Sequence, residues 1–176
     1  NEDAMFNYAI MIDKEEGNTE NKKEALRYYK ICADKGNEKA AFNLARMLLR
    51  GESCTPNPRK ALHYFKIAAD KGITNAMYSY GMILRSGEGG ETNPKEASKY
   101  LKMAAEKGDD ESMFVYALML RDGEGVTENK KEAAKYFKKL AKNGHVKSMF
   151  ILGVMLVEGD GIQENKKEAL KYFKTV

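Results

Sequence analysis

Hydrophobic and polar positions in this chain recur with a period of 36 residues. Self-similarity at a fixed period of this size is the signature of a repeat array. Small residues start the units, and three ladders keep one register throughout: Phe6, Phe42, Tyr78, Phe114 and Phe150; Ala25, Ala61, Ala97, Ala133 and Ala169; Tyr28, Tyr64, Tyr100, Tyr136 and Tyr172. We therefore predict a single array over residues 1–176, with units 4–39, 40–75, 76–111, 112–147 and a partial unit 148–176.

The spacing of apolar residues inside each unit predicts two helices. In the second unit, Ala41, Leu44 and Leu48 fall on one face of a helix over residues 38–50. Glycine accepts the left-handed conformation that commonly ends a helix. The residues predicted to end the first helices are Gly51, Gly87, Gly123 and Gly159.

Asparagine marks the start of the second helix in every unit, because its side-chain oxygen can accept free backbone N–H groups of the first turn. The predicted N-caps are Asn21, Asn57, Asn93, Asn129 and Asn165. Pro58 and Pro94 follow at the first helical position, where a missing N–H costs nothing. A glutamate three residues after the asparagine completes a capping box in four units, whereas Lys60 takes its place in the second. Glycines also follow these helices: Gly36, Gly72, Gly108 and Gly144.

One such helical pair cannot bury its apolar faces alone, so neighbouring pairs must stack into a continuous core. Alanines such as Ala68, Ala69 and Ala105 allow helices to approach closely. The predicted fold class is therefore all-α, a solenoid of helix-turn-helix repeats.

The repeated residues resemble the Sel-one-like repeat, a relative of the tetratricopeptide repeat. The third unit carries the resemblance through Ala76, Tyr80, Gly81, Leu84, Gly87 and Gly89, followed by Ala97, Tyr100, Ala104, Ala105 and Gly108. The loops depart from that pattern at Glu15 and Ser53, where the family has glycine. The resemblance implies a right-handed α/α superhelix with first helices lining its concave side, and an adaptor or scaffold role.

Composition agrees with a globular protein, with 43% hydrophobic and 32% charged residues. No apolar run reaches the roughly 18 residues that a transmembrane helix requires. Two cysteines in 176 residues cannot form a disulfide framework, which favours a reducing, cytoplasmic location. The chain opens at Asn1 without methionine, so we expect an excerpt of a longer protein.

The sequence predicts no catalytic residues, no cofactor and no metal site, and therefore a protein that is not an enzyme. Its two histidines, His63 and His145, have no cysteine or carboxylate at metal-ligand spacing and are interpreted as surface residues. Cys32 occupies a helix position that is alanine in other units, so we predict burial, whereas Cys54 lies in a loop.

A partner-binding surface is predicted where first-helix residues point away from the core. We call the following eight residues the first-helix surface: Asn7, Asn43, Arg46, Arg50, Ser79, Met82, Arg85 and Arg121. It is polar and basic early in the chain and becomes apolar later, at Ile151 and Val154, which suits a protein or peptide with an acidic part and a hydrophobic anchor. Arg46 and Asn43 are hardest to explain as packing residues. Arg46→Glu is expected to weaken partner binding and leave the melting temperature nearly unchanged.

Two alternative functions remain open. The second helices carry a basic stripe that could bind acidic partners, RNA or anionic membrane. No aromatic residues are interleaved with the stripe, which argues against nucleic acid. The stripe comprises Lys23, Arg27, Lys30, Arg59, Lys66, Lys95, Lys99, Lys102, Lys131, Lys135, Lys138, Lys167, Lys171 and Lys174. The chain could also be the non-catalytic interaction region of a larger enzyme such as a kinase. Whatever the function, the exposed apolar ends of the array are expected to allow end-to-end self-association at high concentration.

Overall fold

The protein is all-helical, as the sequence predicts, and consists of repeated helix-turn-helix pairs. The structure, a computed structural model, describes residues 1–14 and 18–175, and this part contains ten α-helices and no strand. The helices fall into two compact units, residues 1–93 and 94–176. Unit one contains α1 (Glu2–Asp13), α2 (Thr19–Asp34), α3 (Glu38–Arg50), α4 (Pro58–Asp70) and α5 (Thr74–Ser86). Unit two contains α6 (Pro94–Glu106), α7 (Asp110–Asp122), α8 (Lys130–Lys142), α9 (Val146–Glu158) and α10 (Lys166–Phe173).

Within each unit, a helix packs chiefly against the helices that precede and follow it in the sequence. Alanines of the repeated ladder are completely buried between these helices, including Ala25, Ala61 and Ala133. A first-helix aromatic ring meets a second-helix ring in four repeats, with centroids about 6 Å apart: Phe6 and Tyr29, Phe42 and Phe65, Phe114 and Phe137, and Phe150 and Phe173. Aromatic rings therefore fill the space inside these four hairpins.

Asparagine caps begin most second helices where the sequence predicts them. The side chains of Asn57, Asn129 and Asn165 each accept a hydrogen bond from the backbone N–H three residues later, at 2.9–3.0 Å. The prediction for the first repeat is wrong, because α2 begins one turn before Asn21. Asn18 has the extended backbone of an N-cap and accepts the Asn21 N–H at 3.1 Å, so Asn21 is inside the helix.

The first helices of the second to fifth repeats end at glycines in the left-handed conformation, with φ of 70–75°, as predicted. Gly125 must be glycine for a second reason besides its positive φ, because an added Cβ would collide with the backbone carbonyl of Pro94. At the matching position of the second repeat, Ser53 adopts φ 63° and is the one non-glycine residue of the described part with positive φ. Glu15, the other loop departure, lies outside the described residues. No described helix has both the length and the apolarity to cross a membrane.

Candidate functional site

The predicted first-helix surface lies outside the buried core. Asn7 and Arg50 are exposed, and the other six side chains are half-buried. Seven of the eight belong to α1, α3 and α5 of unit one, while Arg121 lies on α7 of unit two. The first helices therefore present these side chains to solvent within each unit.

One of the surface residues, Arg46, is engaged in a polar cluster inside unit one. Asp13, at the end of α1, is only 8% exposed. Its carboxylate accepts hydrogen bonds from Arg46 Nη2 at 2.8 Å, from Lys22 Nζ at 2.8 Å and from the Tyr29 hydroxyl at 3.3 Å. Lys22 Nζ also donates to the Asp13 carbonyl at 2.6 Å. We call Asp13, Lys22, Tyr29 and Arg46 the Asp13 cluster.

The electrostatics of the Asp13 cluster favour the protonated forms of Tyr29 and Lys22. Burial, reinforced by the negative charge of Asp13, raises the pKa of Tyr29 well above its usual range, although a hydrogen bond with Asn43 opposes the shift. The hydrogen bond to Asp13 raises the pKa of Lys22. A buried carboxylate is tolerated only when it is paired and hydrogen-bonded, and Asp13 meets this condition through two cations and a hydroxyl.

Comparison between repeats explains why the cluster exists. Tyr29 occupies the position held by the buried Phe65 and Phe137 in two other repeats, so it buries a hydroxyl where they bury only carbon. A buried tyrosine hydroxyl usually requires a hydrogen-bond partner. Asp13 supplies the acceptor, and its charge in turn requires Lys22 and Arg46. A tyrosine at a phenylalanine position is thus the sequence signal that could have revealed the cluster.

The contact of Arg46 with Asp13 gives a physical reason to expect that Arg46→Glu lowers stability, in place of an unchanged melting temperature. The substitution would place a second carboxylate beside the buried Asp13 and remove one of its two cations. A loss of partner binding by this variant would not distinguish a lost contact from a disturbed fold. The reason for choosing Arg46 as a binding residue also weakens, because its interaction with Asp13 accounts for its position.

The other arginines differ in how much of the guanidinium remains available. The Arg50 side chain is 64% exposed, and its one ion pair among the described residues is a 3.5 Å contact with Glu52. Arg121 donates twice to its neighbour Asp122, at 2.6 and 2.9 Å. Arg50 therefore has more free donors for a partner.

Unit two contains the apolar part of the first-helix surface. A hollow of about 280 Å³ is lined by Ile151, Val154 and Phe150 of α9, with Arg121 of α7 beside them. Phe150 is 54% exposed. Glu158 and Asp160 also line it, so the hollow is a small apolar recess bordered by one arginine and two acidic residues.

The histidines divide between a surface role and a structural role. His63 is exposed, as predicted. His145 is not a surface residue, because its Nδ1 caps α9 by accepting the Ser148 N–H at 3.2 Å, and its ring packs on Phe114 with centroids 4.9 Å apart. Among the described residues, no three histidine, cysteine or acidic side chains are grouped so that they could hold a metal.

The cysteines and second-helix lysines have ordinary structural surroundings. Cys32 is completely buried, as predicted, and burial raises the pKa of its thiol. Cys54 is half-buried. Several lysines of the basic stripe pair with acids on the same helix or the next second helix: Lys23 with Glu20, Lys30 with Asp34, Lys102 with Glu106, and Lys138 with Glu168. These pairs reduce the net positive charge of that stripe.

Comparison with known families identifies one matching repeat throughout the chain. The Sel1 repeat matches five times, over residues 2–37, 38–73, 74–109, 110–145 and 146–175. A search of curated proteins finds none that matches.

Solved structures with the same fold come from several bacteria. A protective antigen of uropathogenic Escherichia coli strains, which displays an SLR fold, aligns with a TM-score of 0.89 and 24% identity over 99% of this chain. The present chain spans only 37% of the length of that antigen. A Sel1 repeat protein from Oxalobacter formigenes aligns with a TM-score of 0.83 and 26% identity, covering 99% of this chain and 70% of the other. Cysteine rich protein B of Helicobacter pylori aligns with a TM-score of 0.58 and 22% identity over 77% of this chain and 98% of its own.

Proposed function

Because the chain belongs to the Sel1 repeat family, we propose that it is a scaffold or adaptor that binds a protein or peptide partner on its first-helix surface. Sel1 repeats commonly mediate protein–protein interactions, and solenoids of this type are typically non-catalytic. The proposed role is accordingly one of binding rather than chemistry. A cytoplasmic location stays a prediction.

The observation that carries the proposal is the hollow on α9. Solvent-accessible apolar side chains suit a partner that inserts a hydrophobic residue. Val154 and Ile151 would contact that hydrophobic residue. In unit one, Arg50 and Met82 provide a separate pair of cationic and apolar side chains on first helices.

Quantitative capture of partners from lysate of the source cells tests this proposal. The immobilised protein is compared with Val154→Glu, which puts a charge into the hollow, and with Arg50→Glu, which reverses an exposed charge that makes only one weak contact. Lys107→Glu is the matched control for the charge reversal, because Lys107 is exposed and lies outside the first-helix surface.

We expect Val154→Glu and Arg50→Glu to lose the same partners and Lys107→Glu to retain them. Circular dichroism establishes that all three variants remain helical. Undiminished capture by both first-helix variants would refute the proposed surface.

A further inference from the structure

A second recess lies on the opposite set of helices, between α2 and α4 of unit one. It is a groove of about 760 Å³, within the range of ligand-binding pockets. Apolar side chains form its floor, and basic side chains form its rim. We call it the second-helix groove and define it by Leu26, Leu48, Cys54, Lys30, Arg59 and Lys60.

The rim of the groove carries positive charge without a carboxylate of its own. None of the described residues that line it is acidic. Lys30 is bound by the neighbouring Asp34 at 2.6 Å. Arg59 and Lys60 are exposed, and neither forms an ion pair within the described part of the chain. Two uncompensated cations therefore stand beside an apolar floor.

Lys60 is the residue that distinguishes this groove from its counterparts. The same position is Glu24, Glu96, Glu132 or Glu168 in the other repeats. Helix α4 consequently has no acidic residue in its first turn, where a helix has its positive end. The exchange of glutamate for lysine changes the local charge by two units in the direction that attracts anions.

Unit two shows what a carboxylate does at this position. Three repeats after Lys30 and Lys60 stand Lys138 and Glu168, and Glu168 accepts a hydrogen bond from Lys138 at 3.2 Å. This ion pair connects α8 to α10 beside a matching recess of about 410 Å³. Lys30 and Lys60 cannot make the equivalent bridge because both are cations.

From these contacts we infer that the second-helix groove binds an acidic peptide. An aspartate or glutamate of the peptide lies against Lys60 and Arg59, the two rim cations that have no ion pair within the described residues. An adjacent leucine-like side chain covers the floor formed by Leu26 and Leu48. Unit two offers a partial precedent, since a carboxylate, Glu168, stands there at the position of Lys60 and pairs with a second-helix lysine.

Cys54 provides a direct measurement of occupancy. It lines the groove and is half-buried, whereas Cys32, the other cysteine of the chain, is completely buried. N-ethylmaleimide is uncharged, so it does not compete for the basic rim. Mass spectrometry then follows alkylation of Cys54 with and without the peptide acetyl-Leu-Glu-Leu-Glu-amide, using the version with glutamine in place of glutamate as the control.

We expect the acidic peptide to slow alkylation of Cys54 and the glutamine peptide to have little effect. Lys60→Glu should weaken apparent affinity for the acidic peptide about tenfold or more, a change of about 1.4 kcal/mol per tenfold. The variant should be at least as stable as the parent, because it restores a capping box, so lost protection would not reflect unfolding. Lys107→Glu, with the same change in net charge, should retain protection.

Three outcomes would overturn the inference. These are no protection by the acidic peptide, equal protection by the glutamine peptide, or undiminished protection in Lys60→Glu. If the acidic peptide gives no protection but decanoate does, the groove instead takes a lipid-like occupant. The test is independent of the proposed function, because Val154→Glu should leave protection of Cys54 intact.

Discussion

The interaction of Asp13 with Arg46 can be measured by a double-mutant cycle, because the next repeat shows which apolar residues fit these positions. Leu49 stands one repeat after Asp13, and Met82 stands one repeat after Arg46. The cycle therefore consists of Asp13→Leu, Arg46→Met and the double variant. Each replacement has a precedent in the same chain, which limits new steric strain.

The structure sets the expected magnitudes. Removing one partner of a buried ion pair costs about 3–5 kcal/mol. The Asp13 side chain is 7% exposed, but that of Arg46 is 34% exposed, and Lys22 continues to neutralise the carboxylate. We therefore expect Arg46→Met to lower the free energy of unfolding by about 2 kcal/mol. Asp13→Leu should cost about 2 kcal/mol as well, because it leaves the buried Tyr29 hydroxyl without its acceptor.

The double variant should cost much less than the sum of the single variants. Residues in one hydrogen-bonded network show coupling of about 0.5–3 kcal/mol, and two short contacts to a buried carboxylate favour the upper half of that range. Urea unfolding followed by helical circular dichroism gives the free energies. Arg50→Met is the matched control, since it removes a largely exposed arginine from the same helix and should change stability by less than about 0.5 kcal/mol.

Additive effects would refute this reasoning. A coupling below about 0.5 kcal/mol would mean that Asp13 and Arg46 contribute independently. Arg46 would then return as a residue available to a partner. A stabilised double variant, in contrast, would agree with other buried ion pairs whose apolar replacements fold more tightly.

Three further predictions concern pH, loop geometry and a helix cap. The fold favours the protonated forms of Tyr29 and Lys22, so the pKa values of these groups are higher in the folded than in the unfolded protein. The free energy of unfolding should therefore be unaffected below about pH 10 and fall as the pH rises further. Urea unfolding midpoints measured at several pH values would show this loss. Gly123→Ala should cost about 1–2 kcal/mol for a left-handed alanine. Gly125→Ala should lower the melting temperature considerably more: the two glycines share φ near 70°, but only at Gly125 would the added Cβ clash with backbone atoms. His145→Ala should cost about 1 kcal/mol through loss of the cap, and His145→Asn should recover most of it; equal thermal stability of the two variants would contradict the capping role.

The sequence predicts the helices well because the forces that define them are local and repeated. The helix expected over residues 38–50 is α3, and the glycines that end the first helices have the predicted left-handed backbone. Cap chemistry and apolar spacing act within a few residues, so five copies of one pattern reinforce the same assignment. Burial of Cys32 follows from the same comparison between copies.

The candidate site is harder to predict because it depends on residues that break the repeat. Arg46 resembles a free surface cation until α1 brings Asp13 to 2.8 Å, across 33 positions of sequence. His145 caps a helix at a position where the second and fourth repeats have Asn37 and Asp109, and an imidazole ring is a less familiar cap than these side chains. Periodicity predicts where the helices begin and end. Side-chain contacts such as these depend instead on which residues that depart from the repeat lie next to one another in the fold.

The packing of each helix chiefly against its sequence neighbours has an evolutionary consequence. A hairpin that meets its neighbours through similar faces on both sides can be duplicated or deleted as a whole without designing a new core. Gains and losses of whole 36-residue units can therefore alter the length of such proteins, while single residues within a unit diverge toward new partners. Selection can act on one hairpin at a time.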